Sequence, residues 1–175
     1  MPRLEAGPVR LRRFEDRDAP LVQSVAGDPL IPLITTVPTS GSHADALAFI
    51  ERQHARLSGG AGYSFAIADS TTDEAVGQIG LWLPDRDQGR ASTGYWIGPD
   101  HRRRGYARSA LDVLTTWALS LPAVHRVELY VEPWNEASWR TAEACGYHRE
   151  GLLRSWQRVG DARRDMYMYS VVRTG

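Results

Sequence analysis

Cysteine is nearly missing from this chain of 175 residues: Cys145 stands alone. That excludes an internal disulfide and a cysteine-rich zinc site, and it suits a reducing cytoplasm. Net charge is missing too, with 21 basic and 21 acidic side chains, so the molecule as a whole has no pull toward nucleic acid or an anionic membrane, and any anion site has to be local. No apolar run approaches the length of a transmembrane helix, and the opening "MPRLEAGPVRLRRFEDRD" lacks the apolar core of a secretory signal. A cytoplasmic protein with no membrane and no nucleic-acid partner is therefore expected. Repeats, low-complexity tracts and linkers are also missing, and a hydrophobic content of 42% with 24% charged residues is ordinary for a globular protein. A single domain spanning about residues 8–173 is expected.

What is present is a regular alternation of strand and helix signals. "VRLRRF" (9–14) alternates apolar and basic residues as a half-exposed strand does, and "EDRDAPLVQSVAG" offers Asp16 as a helix cap with Gly27 as the stop. "DPLIPLITTVPTSG" (28–41) has three prolines and more apolar residues than a solvated loop needs, which leaves two readings: a wall that covers a ligand, or a loop tucked on the core. "SHADALAFIERQHARL" (42–57) begins with Ser42 and Asp45 in capping positions, and its His54 reads as a packed histidine. "YSFAIAD" and "AVGQIGLWL" around "STTDE" predict a hairpin, followed by the strand "ASTGYWIG". Ala107, Ala110, Leu111, Leu114, Trp117, Ala118 and Leu121 mark a long amphipathic helix. "VHRVELYVEP", "NEASWRTAEACG", "HREGLLRSWQRV" and "DMYMYSVV" complete the chain as strand, helix, strand and strand. This order predicts a mixed sheet with helices on both faces.

One feature conflicts with simple helix electrostatics. Three arginines precede Gly105 and the long helix, although the N-terminal end of a helix already carries about half a positive charge. A bound anion resolves the conflict. Gly105 lets the main chain approach a phosphate, Ala107 keeps the first turn small, and Arg102, Arg103, Arg104 and Arg108 attract a multiply charged ligand.

The segment "RRRGYA" (102–107) resembles the Gln/Arg-x-x-Gly-x-Gly/Ala loop of the GCN5-related N-acetyltransferases (GNAT), which grips the pyrophosphate of acetyl-coenzyme A with consecutive main-chain amides. "YVEPWNEASWRTAEACGYHREGLLR" (130–154) is similar to the Asn-x-x-Ser segment of the RimJ/RimL-like branch. Asn135, Ser138, Gly146, Glu150 and Gly151 match it, and Tyr147 replaces the usual phenylalanine. The likeness runs from about Val9 to Val172 and is loosest in the N-terminal third.

The resemblance implies an α/β GNAT fold: a mixed, mostly antiparallel twisted sheet of about seven strands, helices on both faces and a splayed central strand pair. It implies acetyl-coenzyme A as co-substrate, no metal, and direct attack by an acceptor amine in a ternary complex. The pantetheine arm would follow Tyr95, Trp96 and Ile97. The phosphates would sit on residues 102–108: Arg102, Arg103, Arg104, Gly105, Tyr106, Ala107 and Arg108. Asn135 would both cap its helix and touch the cofactor. Ser138 would either protonate the departing thiolate or simply bond backbone. Many relatives carry a tyrosine acid where this chain has Ala142, so that mechanism does not transfer. Glu128, Glu132 and His101 fall near the expected opening, and none is assigned as general base. Cys145 reads as core packing rather than a nucleophile. Trp82, Tyr95, Trp96, Trp134, Trp139 and Trp156 divide between core and cleft in a way the sequence does not settle.

The expected acceptor is an α-amine of a protein or peptide. A small-molecule amine and another acyl donor such as succinyl-coenzyme A are the alternatives, and a homodimer is compatible with the chain. A non-catalytic coenzyme A-binding module is the reading from a different class.

Overall fold

A computed structural model describes residues 1–174. In chain order the elements are β1 (Leu4–Ala6), β2 (Val9–Arg12), α1 (Ala19–Ser24), α2 (Ile31–Ile34), α3 (His43–Ser58), β3 (Gly62–Asp69), β4 (Ala75–Trp82) and β5 (Arg90–Ile97). They continue as α4 (Tyr106–Ser120), β6 (Arg126–Val131), α5 (Glu136–Ala144), β7 (His148–Val159) and β8 (Ala162–Val172). One sheet of eight strands holds them, in the order β1-β2-β3-β4-β5-β6-β8-β7. Every neighbouring pair is antiparallel except β5 and β6. The strand beyond the expected seven is β1, a three-residue edge strand that pairs Leu4–Ala6 with Val9–Leu11 ahead of the expected boundary at residue 8. Three residues are too few to show an alternating pattern.

Local chemistry sets the helix boundaries. Ser42 caps α3 by accepting from the Asp45 amide at 3.1 Å, and Gly60 ends it in the left-handed conformation at φ 72°. The helix expected from Asp16 to Gly27 is shorter: a 3-10 turn at Asp16–Asp18 precedes α1, which ends at Ser24. Pro20 occupies the first turn of α1, where its missing N–H costs nothing.

Helices cover both faces of the sheet. On one face α1 and α3 bury Val22, Phe49 and Ile50 against Phe14, Ala66 and Trp96. On the other, α4 lays Ala110, Leu111, Leu114 and Ala118 on Phe65, Ile67, Ile79 and Val127. His54 is packed as expected, with Nε2 2.9 Å from the Phe14 carbonyl.

Candidate active site

The site begins where the sheet divides. β5 and β6 run side by side only from Arg90/Arg126 to Thr93/Leu129. Beyond that point β5 stays with β4 as far as Ile97, and β6 stays with β8 as far as Val131. Gly94–Ile97 therefore face a wedge with no strand opposite. Strand edges left this way expose main-chain donors and acceptors that need partners. The splay expected for the central pair is present.

At the top of the wedge, the chain leaves β5 through Gly98 and a 3-10 turn at Pro99–His101. Arg103 and Gly105 then adopt left-handed backbone, at φ 61° and 81°, on either side of Arg104. Alternation of this kind turns successive N–H groups into one concavity, the geometry of an anion-binding nest. None of the main-chain N–H groups of residues 103–108 has a hydrogen-bond partner among the described residues, and no side chain caps α4. A Cβ built on Gly105 meets nothing within 4 Å, so the space in front of the loop is open. Arg103, Arg104 and Arg108 are exposed and pair with no carboxylate among the described residues. The loop thus presents free amides, a helix N-terminus and uncompensated cations to one open volume, and it fits a diphosphate.

Two side chains of this segment are committed inward. The Tyr106 hydroxyl donates to Asp69 Oδ2 at 2.6 Å, fixing the start of α4 to the end of β3. That bond, with amide bonds from Thr71 and Thr72, lowers the Asp69 pKa to about 2. Arg102 donates through Nε to the Ile97 carbonyl at 3.1 Å and through Nη2 to Asp28 Oδ2 at 3.0 Å. Asp28 in turn accepts from the Leu30 and Ile31 amides, both at 2.9 Å. Arg102 therefore ties the loop to the start of α2, while Tyr106 and Ala107 offer the ligand only main chain.

Below the loop the wedge widens into a cleft of about 520 Å³. Tyr95 from β5 and Ser138 from the first turn of α5 meet there, with their hydroxyl oxygens 3.2 Å apart. Burial raises the Tyr95 pKa, so the phenol keeps its proton at neutral pH. Asn135 caps α5, its side-chain oxygen accepting from the Ser138 amide at 3.2 Å, and it lines the cleft as well. Ala142 is fully buried one turn further on. Cys145 packs partly buried against the main core and donates to the Arg108 carbonyl at 3.4 Å. Burial pushes its pKa up to about 11, which leaves it a thiol at neutral pH and a poor nucleophile.

The three candidate bases separate. Glu128 is consumed: its two oxygens accept from Arg126 Nε and the Tyr130 hydroxyl, each at 2.7 Å. His101 lies in a different recess, with Arg17, Asp18 and Pro20, so the expectation that it borders the opening is corrected. Glu132, just past the end of β6, lines the cleft and has Arg164 Nε 3.6 Å away.

The opposite wall comes from residues the sequence could not connect. Leu30, Leu33, Ile34, Thr35 and Thr36 of the proline-rich segment line the cleft, while Ile31 and Val37 of the same segment are buried in the core, so both readings of the segment hold in part. Leu33 is 53% exposed although apolar. The floor is Trp82, whose indole folds back across two strands: a Cβ at Gly80 would lie 2.6 Å from the ring and one at Gly94 3.5 Å. Trp96 lines the cleft from the face of β5 opposite Tyr95. Its Nε1 donates to Gln78 Oε1 at 2.7 Å, and Gln78 Nε2 donates onward to Gln53 and Ser64 at 2.9 and 2.6 Å. Trp134 is 62% exposed, Trp139 packs partly on the core, and Trp156 stacks on Tyr130 at the rim with ring centroids 5.6 Å apart. Among the described residues no cluster of three or more His, Cys, Asp or Glu side chains is arranged to hold a metal, and no helix is long and apolar enough to cross a membrane.

Comparison with known proteins agrees with this geometry. Residues 9–148 match the acetyltransferase (GNAT) domain family. The N-acetyltransferase p20 of Bacillus licheniformis is 28% identical over 93% of this chain and 92% of its own. Among solved structures, Mycobacterium smegmatis RimJ in complex with a coenzyme A disulfide superposes with a TM-score of 0.78 at 25% identity, covering 97% of this chain and 84% of that one. RimL, a ribosomal L7/L12 α-N-protein acetyltransferase in complex with coenzyme A, superposes at 0.80 with 17% identity over 95% of both chains. A split sheet, an amide-lined loop and a hydroxyl pair at the fork thus coincide with the domain match: the chain belongs to the GNAT family and is an acetyl-coenzyme A-dependent N-acetyltransferase.

Proposed function

We propose that this enzyme transfers the acetyl group of acetyl-coenzyme A to the α-amine of a protein or peptide, within a ternary complex. The observation that carries the donor half is the run of unpartnered amides at residues 103–108 beside three unpaired arginines. The diphosphate binds these amides, and Arg103, Arg104 and Arg108 screen its charge. The pantetheine arm lies along the free edge at Tyr95, Trp96 and Ile97, where its amides take up main-chain groups that no strand partners.

The attacking amine has to be neutral. A free α-amine has a pKa near ~8 and lysine near ~10.4, so an α-amine requires far less help from a base. Glu132, the cleft carboxylate with only a long contact to Arg164, is suited to take the amine's proton directly or through water. As the nitrogen bonds to the carbonyl carbon, the carbon–sulfur bond breaks and the leaving thiolate takes a proton from the Ser138 hydroxyl. Tyr95, protonated and 3.2 Å from Ser138 Oγ, replaces that proton, and water entering as the products leave returns one to Tyr95 while taking the amine's proton from Glu132. This hydroxyl pair supplies, from β5 and α5 together, the acid that Ala142 lacks. The apolar wall at Leu30, Leu33 and Ile34 suits a peptide side chain better than a polycation.

The deciding experiment measures thiol release from acetyl-coenzyme A against a library of peptides with free N-termini, alongside polyamines and amino sugars. Turnover on peptides supports the reading. Turnover on the small amines alone would overturn it, and so would coenzyme A binding without turnover on any peptide. The chain has no lysine, so its own side chains offer no competing amine.

A further inference from the structure

Two charged side chains line the cleft, Glu132 and Arg56. The mechanism above uses the first and leaves the second unexplained. Arg56 lies in the last turn of α3 with its guanidinium 5.5 Å over the Trp82 ring. Its hydrogen bond is one long contact from Nη2 to Thr36 Oγ1 at 3.4 Å, and no carboxylate pairs with it among the described residues. Other partly buried arginines of the chain are compensated: Arg10 and Arg12 reach Asp73 and Asp18 at 2.8 and 2.7 Å, Arg126 reaches Glu128 at 2.7 Å, and Arg173, which has no carboxylate, donates to the Leu119, Leu121 and Val124 carbonyls. At Arg56, burial and the neighbouring Arg52 both work against the charged form. A desolvated cation without an acid in its own chain is stabilised when a ligand brings one.

Its place in the fold links Arg56 to the reaction. The Trp82 ring beneath it covers Gly80 and Gly94, and Gly94 is the first residue of β5 beyond the last β5–β6 pair. The indole thus links Arg56 to Gly80 and Gly94, at the point where the wedge opens. Glu132 lies across the wedge just past the end of β6, so the cleft carries opposite charges on two walls: a carboxylate beyond the open end of β6 and a guanidinium over the floor, with the apolar Leu30, Leu33 and Ile34 wall alongside. A ligand that matches both charges carries an ammonium or amine at one end and an anion a short apolar distance away.

We infer that Arg56 is a specificity residue that binds an acidic group of the acceptor, so that the preferred peptides carry Asp or Glu directly after the residue bearing the reactive amine. This rests on the peptide α-amine reading above. Arg56 also sits favourably at the C-terminal end of a helix and on an aromatic face, and a purely structural role of that kind makes no distinction between acceptors.

The test compares kcat/KM for peptides identical except for Glu or Lys at the second residue, in the wild type, Arg56→Gln and Arg56→Glu. The wild type is expected to favour the Glu peptide by about tenfold or more, as a charge-assisted hydrogen bond provides. That ratio falls toward one in Arg56→Gln, inverts in Arg56→Glu, and shrinks with added salt. Because the readout is a ratio within each variant, loss of active fraction does not move it. If Arg56→Glu does not fold, Arg56→Gln carries the comparison. Equal rates for the two peptides in the wild type overturn the inference, and so does a ratio that survives both substitutions. Turnover confined to non-peptide amines overturns the acceptor reading itself and is recognised by the absence of any peptide rate.

Discussion

The two halves of the cleft are built on opposite plans. In the proposed reading the donor half is a contiguous loop, residues 102–108, whose contribution is mostly main chain: free amides, two left-handed residues and a helix start. The acceptor half is assembled from side chains of α2, α3, β4, β6 and β7 that lie far apart in sequence. Main-chain recognition tolerates side-chain changes but not changes of backbone, whereas side-chain recognition can be retuned one residue at a time. This difference predicts that side-chain substitutions alter acceptor choice more readily than donor binding.

Substitution in the loop is expected to have the largest effect. Gly105→Val puts a branched side chain on a left-handed residue and into the open volume before the amides. Coenzyme A affinity measured by calorimetry should fall more than about tenfold, while the melting temperature of the free protein drops by about 2–4 °C. Unchanged affinity would break the contrast between the halves. Next comes the hydroxyl pair. Ser138→Ala should lower kcat by about a hundredfold with little change in coenzyme A affinity, and Tyr95→Phe by less, since it acts through Ser138. A kcat unmoved by Ser138→Ala would mean that water protonates the thiolate.

Smaller effects sharpen the contrast on the acceptor side. Gly80→Ala forces the Trp82 ring off the floor at a cost of about 1–3 kcal/mol, and it should raise the acceptor KM while leaving the coenzyme A KM in place. The weakest effect is a general one. Asp69, Asp73 and Glu150 are held at about 2, down from 3.8 to 4.5, by Tyr106 and two amides, by Arg10 and Arg17, and by Arg126 and Ser170 respectively. Groups lowered on folding stabilise the native state above their unfolded values and lose that contribution as they protonate. Thermal stability should therefore be flat above about pH 5 and fall progressively from there toward pH 2. Since Asp69 anchors Tyr106, protection of the α4 amides from hydrogen exchange should weaken over the same range.

Legibility followed the same division. Ser42 as a cap, Gly105 before α4, the period of α4, and the Asn135–Ser138 spacing were all readable, because each depends on residues within about one or two helical turns. The three glutamate and histidine candidates were not separable. Glu128 lies within β6 and Glu132 one residue past its end, and only the partners Arg126 and Tyr130 show which of them is spent. Nothing in the sequence around Gly80 marks the indole of Trp82 that the fold lays across it.

The sequence by itself determined the order of the elements and the glycine-containing, arginine-rich turn before α4, since these are written in short-range patterns of size, charge and backbone freedom. Tertiary structure alone decided that β5 and β6 part after Thr93 and Leu129, that Tyr95 meets Ser138, and that Arg56 stands over Trp82 without an acid. The physical reason is that a contact between distant segments depends on strand register and on which helix face is buried, and those are fixed only when the whole sheet has paired.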